Sequence, residues 1–168
     1  MNSFHRLQSN RPFNTPLEYG LRLLFILAAT PNRNVDLQRL ISYDYLLVHS
    51  GDVEGGPISL HPDVPFRGNE LLVKRSLAQA GLSQMLSREL INKSFSSHGI
   101  TYASNELTQA FINLLSSSYA LELKKRSLWV TSKFGHMSDE ELNSYLNTNV
   151  GRWGAEFERF TAVRQLEL

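Results

Sequence analysis

Residues 86–104 read LSRELINKSFSSHGITYAS. Two runs rich in strand formers, LINKSF at 90–95 and GITYAS at 99–104, flank Ser96, Ser97 and His98, and Gly99 supplies turn chemistry. The pattern predicts a two-stranded β-hairpin over about 90–103. On its N-terminal side, Asn69 can cap a helix that opens ELLVKRSLAQA, with Gly81 marking a break or kink before LSQMLSREL continues it. On its C-terminal side a further helix is expected over about 105–115. Two strands alone are marginal and need a helix over one face. Leu90, Ile100 and Tyr102 are the candidates for that covered face.

Upstream, Thr15-Pro16-Leu17-Glu18 is a helix start, with Thr15 as cap, Pro16 suited to the first turn and Glu18 completing a capping box. The helix LEYGLRLLFILAAT that follows is apolar nearly all round, so it belongs at the centre of the core. Pro31 and the run Asn32 to Asn34 end it. A second helix is expected from about Val35 to His49, with Leu37, Leu40, Ile41, Tyr45, Leu47 and Val48 inward and Arg39, Ser42 and Asp44 on the outer side. Three helices, a hairpin and another helix, in that order, are what a winged helix-turn-helix needs. The expected fold is therefore mainly α: a winged helix-turn-helix core with a two-stranded wing and additional C-terminal helices. Those helices fall at about 119–134, 138–147 and 152–162. Ser138 to Glu141 forms a capping box, and Ser116-Ser117-Ser118 marks a helix junction. One domain spans 14–162, after a polar N-terminal arm over residues 1–13.

Composition narrows the function. The chain has 168 residues, enough for one domain with a substantial core. Seventeen Lys and Arg face sixteen Asp and Glu, a balance that argues against broad electrostatic coating of nucleic acid. Cysteine is absent, which excludes disulfides, thiolate metal sites and a thiol nucleophile. No continuous apolar run marks a signal peptide, and the longest apolar stretch, Leu21 to Ala29, is far short of the ~20 residues a membrane span requires. A soluble cytoplasmic protein without a membrane partner is expected.

Four groups of residues are candidates for chemistry or contact. The first lies in GDVEGGPISLHPDVPFRG, residues 51–68, a long loop of a kind often functional in compact domains. Two readings stay open for it: a cover whose Ile58, Leu60, Val64 and Phe66 plug the core, or a partner-binding loop. His49, Asp52, Glu54, His61 and Asp63 gather in or beside it, but their spacing matches no metal-binding motif, and a Gly- and Pro-rich loop collects polar residues for turn chemistry. The second group is Lys74, Arg75, Arg88 and Lys93, on the helix before the wing and the wing itself, where DNA-reading members of this architecture make contact. The third is Lys124-Lys125-Arg126, either a solvated face or a surface for a nucleic-acid backbone or an acidic partner. The fourth is Trp153 and Phe157, at i and i+4 beside Arg152 and Glu156, either a core stripe or an aromatic anchor. No nucleophile elbow or phosphate-cradling loop is present. No catalytic residue, metal or cofactor is expected.

Several segments together resemble a known family. NTPLEYGLRLLFILAA, VDLQRLISYDYLLVHSGDVEGGPISLHPD, RGNELLVKRSLAQAGLSQMLSRELI, GITYAS and NVGRWGAEF are similar to the middle component of bacterial three-component ABC-ATPase systems, of which the Lamassu anti-phage defence system is the best known. The similarity spans about residues 13–160, and YLLVHSGDVEGGPISLHP is its most specific part. It implies a small non-catalytic adaptor between an SMC- or Rad50-like ABC ATPase and an effector such as a nuclease, associated with DNA through the complex. On that reading the partner contacts are His49, Asp52, Glu54, His61 and Phe66 in and around the long loop, with Arg152, Trp153 and Phe157 near the C-terminus. The alternative is a winged-helix transcription regulator, which would carry a contiguous positive face on the third helix and wing.

Overall fold

A computed structural model describes residues 15–62, 67–97 and 99–149. The chain is mainly helical with one small antiparallel sheet. Its order is α1 (Pro16–Ala28), β1 (Val35–Asp36), α2 (Leu37–Val48), a 3-10 turn (Ser50–Asp52), α3 (Arg67–Leu86), β2 (Ile91–Ser96), β3 (Gly99–Ser104), α4 (Glu106–Asn113) and α5 (Ser118–Phe134). A last described helix, α6, covers 139–149.

Most boundaries follow from capping chemistry. Thr15 Oγ1 accepts from the Glu18 amide at 3.2 Å, and Pro16 sits where an amide has no helical partner. Asn105 and Thr108 exchange side-chain and backbone hydrogen bonds at the start of α4. Ser117 caps α5, and Ser138 and Glu141 exchange a pair of bonds at the start of α6.

The core is built on α1. Tyr19, Leu23, Leu24, Ile26 and Leu27 are completely buried, as the all-round apolar sequence requires. α1 packs chiefly against α3. The two backbones meet at Gly20 and Gly81: a Cβ on Gly81 would lie 2.7 Å from the Gly20 nitrogen and 2.8 Å from the Pro16 carbonyl oxygen. Gly81 therefore does not break α3, which runs unbroken through it; the glycine is there to let α1 approach.

The sheet differs from the expected hairpin. It has three strands in the order β1-β3-β2, because Val35 and Asp36 pair antiparallel with Tyr102 and Thr101. The second helix consequently starts at Leu37, with Asp36 both ending the strand and accepting from the Arg39 amide at 2.8 Å as its cap. The hairpin itself falls as expected, from Ile91 paired with Ser104 to Ser96 paired with Gly99. Its covered face is made by Leu90, Ile91 and Tyr102, whereas Ile100 is 42% exposed.

α2 has no outer side over most of its length. It contacts α1, α3 and α5 together, and every residue from Leu40 to Ser50 is buried. Ser42 and Asp44, expected outside, are inside at 1% and 0% exposure. Arg39, nearer the start of α2, is half-buried and reaches across to Asp139 and to the Met137 carbonyl, tying α2 to α6.

Candidate functional site

The densest polar cluster lies inside the molecule, where α1, α2, α5 and the loop after α2 converge. Arg22, on the most apolar helix of the chain, is fully buried. A guanidinium cannot be left there without a counter-charge, since stripping its water costs several kcal/mol. Asp44, also fully buried, supplies one: Arg22 Nε donates to Asp44 Oδ1 at 2.5 Å and Nη2 to Oδ2 at 3.1 Å, a two-pronged pair. Arg22 Nη1 donates to Glu18, one turn earlier on α1. Burial alone would pull the Arg22 proton affinity down, but the two carboxylates more than offset it and hold the charge in place.

Glu18 is the hinge of the cluster. Tyr119 on α5 donates its hydroxyl proton to Glu18 Oε1 at 2.8 Å. The phenol has only that one proton, so its oxygen accepts from His61 Nε2, 3.1 Å away. This places the imidazole proton on Nε2, which also lies 3.7 Å from Glu18 Oε1. Burial by itself pushes the Glu18 carboxyl up, yet the neighbouring His61 imidazole, the charge and hydrogen bond of Arg22 and the Tyr119 hydroxyl hold it down at about 2. The same surroundings, burial first and then Glu18, push the Tyr119 phenol up. The cluster is thus a carboxylate–guanidinium–carboxylate chain extended by a tyrosine and a histidine, and its bonds join four separate pieces of chain.

Around it the loop is fastened by backbone groups. The amides of Leu60 and His61 both donate to the Val48 carbonyl, at 3.0 and 3.2 Å. The Ile58 carbonyl accepts from Arg126 Nε at 3.1 Å, from Arg126 Nη2 at 2.6 Å and from Ser50 Oγ at 3.3 Å. Lys133 Nζ donates to the Glu54 carbonyl at 3.1 Å. Gly56 packs so closely that a Cβ would fall 2.2 Å from the Ser50 carbonyl oxygen and 3.1 Å from the Trp129 ring. Over its described part, residues 50–62, the loop covers the core with Val53 and Leu60 and turns the Ile58 side chain outward, 85% exposed.

The residues singled out in the sequence separate into groups. His49 is buried at the end of α2 with its ring 5.0 Å from Tyr45, and His61 is buried against Tyr119. Asp52 is half-buried in the 3-10 turn and Glu54 is exposed. Among the described residues no three His, Asp or Glu side chains gather as metal ligands. Phe66, Asp63, Val64, Arg152, Trp153 and Phe157 lie outside the described residues. Of the four basic residues assigned to nucleic acid, Lys74 is buried at 4% exposure and leaves the surface set, because the α3 face that carries it packs inward beside Ala78. Arg75, Arg88 and Lys93 are exposed, with the exposed Glu89 between the last two. Arg126 turns inward to Ile58, leaving Lys124 and Lys125 as the exposed part of that basic run. Asp44 and Arg22 were missed. The signal is a single arginine in a helix whose one other charge is Glu18, a turn away, so that its burial calls for a further acid from another element.

The architecture is thus a small mainly helical subunit with a three-stranded sheet and a polar cluster that is interior. The chain belongs to the family described as ABC-three component (ABC-3C) system Middle Component 2, whose model matches residues 12–156. It is a component of a multi-component ABC ATPase system, with its partners in that system. No curated protein and no solved structure matches it. No helix among the described residues is long and apolar enough to cross a membrane.

Proposed function

We propose that the chain is a non-catalytic adaptor in a Lamassu-type anti-phage defence complex of the cytoplasm, linking an SMC- or Rad50-like ATPase to an effector such as a nuclease. The observation that carries this reading is the family match along nearly the whole chain, which leaves little room for a separate catalytic domain within it. The fold supports the winged-helix part of the reading. The order α1-β1-α2-α3-β2-β3, with the short β1 added to the far side of β3 from β2, is the arrangement a winged helix uses. The polar cluster supports the non-catalytic part: Glu18, Arg22, Asp44, Tyr119 and His61 are engaged with one another between structural elements.

The regulator alternative is less favoured. It calls for a contiguous positive face on α3 and the hairpin; Lys74 is inside, and among the residues whose side chains are described Arg75, Arg88 and Lys93 remain there, with Glu89 between the last two. The test is co-expression with the two other components of the system, followed by size-exclusion chromatography and phage challenge. A stoichiometric complex, with defence lost when this component is deleted, is the expected result. A lone chain that shifts a specific duplex and ignores the other components would overturn it.

A further inference from the structure

Of the eight large hydrophobic side chains that stand exposed among the described residues, four lie between Leu107 and Leu128, in α4, the turn after it and α5. Leu107, Leu121 and Leu128 are 50 to 53% exposed, and Leu114 is 78% exposed. Leu121, Lys124 and Leu128 follow i, i+3, i+7 spacing, so they form one outward stripe on α5. Beside that stripe a cavity of about 90 Å³ opens between α1, α4 and α5. Phe25, Ala28, Ala29 and Ile112 supply apolar walls, Leu128 one rim, and Lys124 the one charged side chain in the lining. Small-molecule sites run to roughly 300–1,000 Å³, so this space suits a single aliphatic side chain rather than a metabolite.

Charge decides what would bring that side chain. Glu122, the acid nearest on α5, is engaged by Lys125 and Arg126. Lys124 is exposed and projects from the same stripe as the two leucines. A straight apolar stripe with a cation one turn from a one-residue socket is complementary to an amphipathic helix carrying an aliphatic residue and, about one turn away, a carboxylate. We propose that the α1/α4/α5 groove docks such an acidic amphipathic helix from another protein of the complex, its aliphatic side chain entering the cavity and its carboxylate meeting Lys124. This rests on the reading of the chain as a subunit of a complex and adds where, and by what chemistry, it is held.

The experiment uses the full chain, with the two other components of its system as the binding probe. Wild type is compared with Leu128→Asp, Lys124→Glu and, as a control at an exposed hydrophobic of the hairpin outside the cavity lining, Phe95→Ser. Affinity should fall at least tenfold for Leu128→Asp and for Lys124→Glu. The Lys124→Glu loss should shrink as salt rises from 0.05 to about 0.5 M, where charges are screened within a few Å. Phe95→Ser should bind as wild type. Four results overturn the proposal. If the wild-type complex forms and both groove variants bind equally well, the groove assignment fails while the adaptor reading stands. If no complex forms at all, both fail. A wild-type chain that is dimeric alone and becomes monomeric with Leu128→Asp means the groove holds a second copy. A marked fall in the melting temperature of the isolated monomer with Leu128→Asp means the chain covers the groove itself.

Discussion

Arg22 on α1 and Asp44 on α2 form an ion pair in which neither side chain is accessible to water. Removing Asp44 leaves the Arg22 fork in the core with only Glu18 on its Nη1, and removing Arg22 leaves Asp44 charged without its cation. Asp44→Ala is expected to destabilise the chain by about 3–5 kcal/mol in urea denaturation. The double variant Arg22→Met with Asp44→Leu, which removes both charges and restores apolar volume, should be clearly more stable than either single charge-removing variant. A double variant as unstable as Asp44→Ala would show that the pair is not the source of the loss.

Acid sensitivity should centre on Glu18. Its carboxyl is held at about 2 in the folded chain against an ordinary 4.5, so the folded state favours the ionised form. Stability from this group is complete above about 4.5 and is lost as pH falls from there toward 2. For a largely buried carboxylate the contribution is on the order of 3 kcal/mol. Melting temperature measured between pH 7 and 2.5 should drop steeply below 4.5, and Glu18→Gln should flatten that drop. Tyr119→Phe, which removes one donor to Glu18, should move the midpoint of the drop to higher pH.

The approach of α1 to α3 depends on two hydrogens in place of methyl groups. Helical propensity alone would make Gly81→Ala stabilising by about 0.5–1 kcal/mol. The contact at 2.7 Å reverses the sign, because the obstacle is backbone and cannot swing away. A net loss of about 1–3 kcal/mol is expected from overpacking. Gly20→Ala should behave the same way, its Cβ falling 2.7 Å from the Gly81 carbonyl oxygen. Thermal denaturation of the two variants checks this.

Glu89 turns the chain from α3 into β2 at φ 59, a left-handed conformation that costs a side chain roughly 1–2 kcal/mol. Its carbonyl accepts from Asn105 Nδ2 at 2.9 Å, a bond that needs no side chain at this position. Glu89→Gly should therefore raise stability, by about 1 kcal/mol once glycine's extra freedom in the unfolded chain is subtracted.

Arg126 fastens the loop through the Ile58 carbonyl. Arg126→Ala should raise amide exchange around residues 50–60 at least tenfold while lowering global stability by only about 1.5–3 kcal/mol, the range for a bond to a charged group. Arg126→Lys should restore little, since one ammonium cannot reproduce the paired Nε and Nη2 contacts.

How much of this was legible in the sequence depends on how local the cause is. The caps at Thr15 and Ser138, the helix junction at Ser116 to Ser118 and the hairpin around Gly99 are set within a few residues, and they fall where the sequence places them. β1 escaped notice because two residues have no periodicity; Val35-Asp36 is a strand only because Tyr102 and Thr101 lie alongside. Ser42 and Asp44 were placed outside because a polar residue on an amphipathic helix normally is, and α2 has helices on three sides. Lys74 was misplaced for the related reason that a cation in a helix is read as solvated. The socket between α1, α4 and α5 is formed by three separated segments, and only the run from Lys124 hinted at a surface there.

The two-residue strand also bears on how the chain can fold. β2 and β3 are neighbours in sequence and can zip as soon as both exist. Val35 and Asp36, by contrast, meet Tyr102 and Thr101 only across α2, the loop, α3 and β2. Closing so long a segment costs entropy before it returns any contact, and such distant pairings slow folding. A chain emerging from the ribosome can wind its first three helices but cannot finish its sheet until residue 102 has cleared the exit. The β1–β3 rung is therefore expected among the last native contacts to form, and one of the first to be lost when the chain opens.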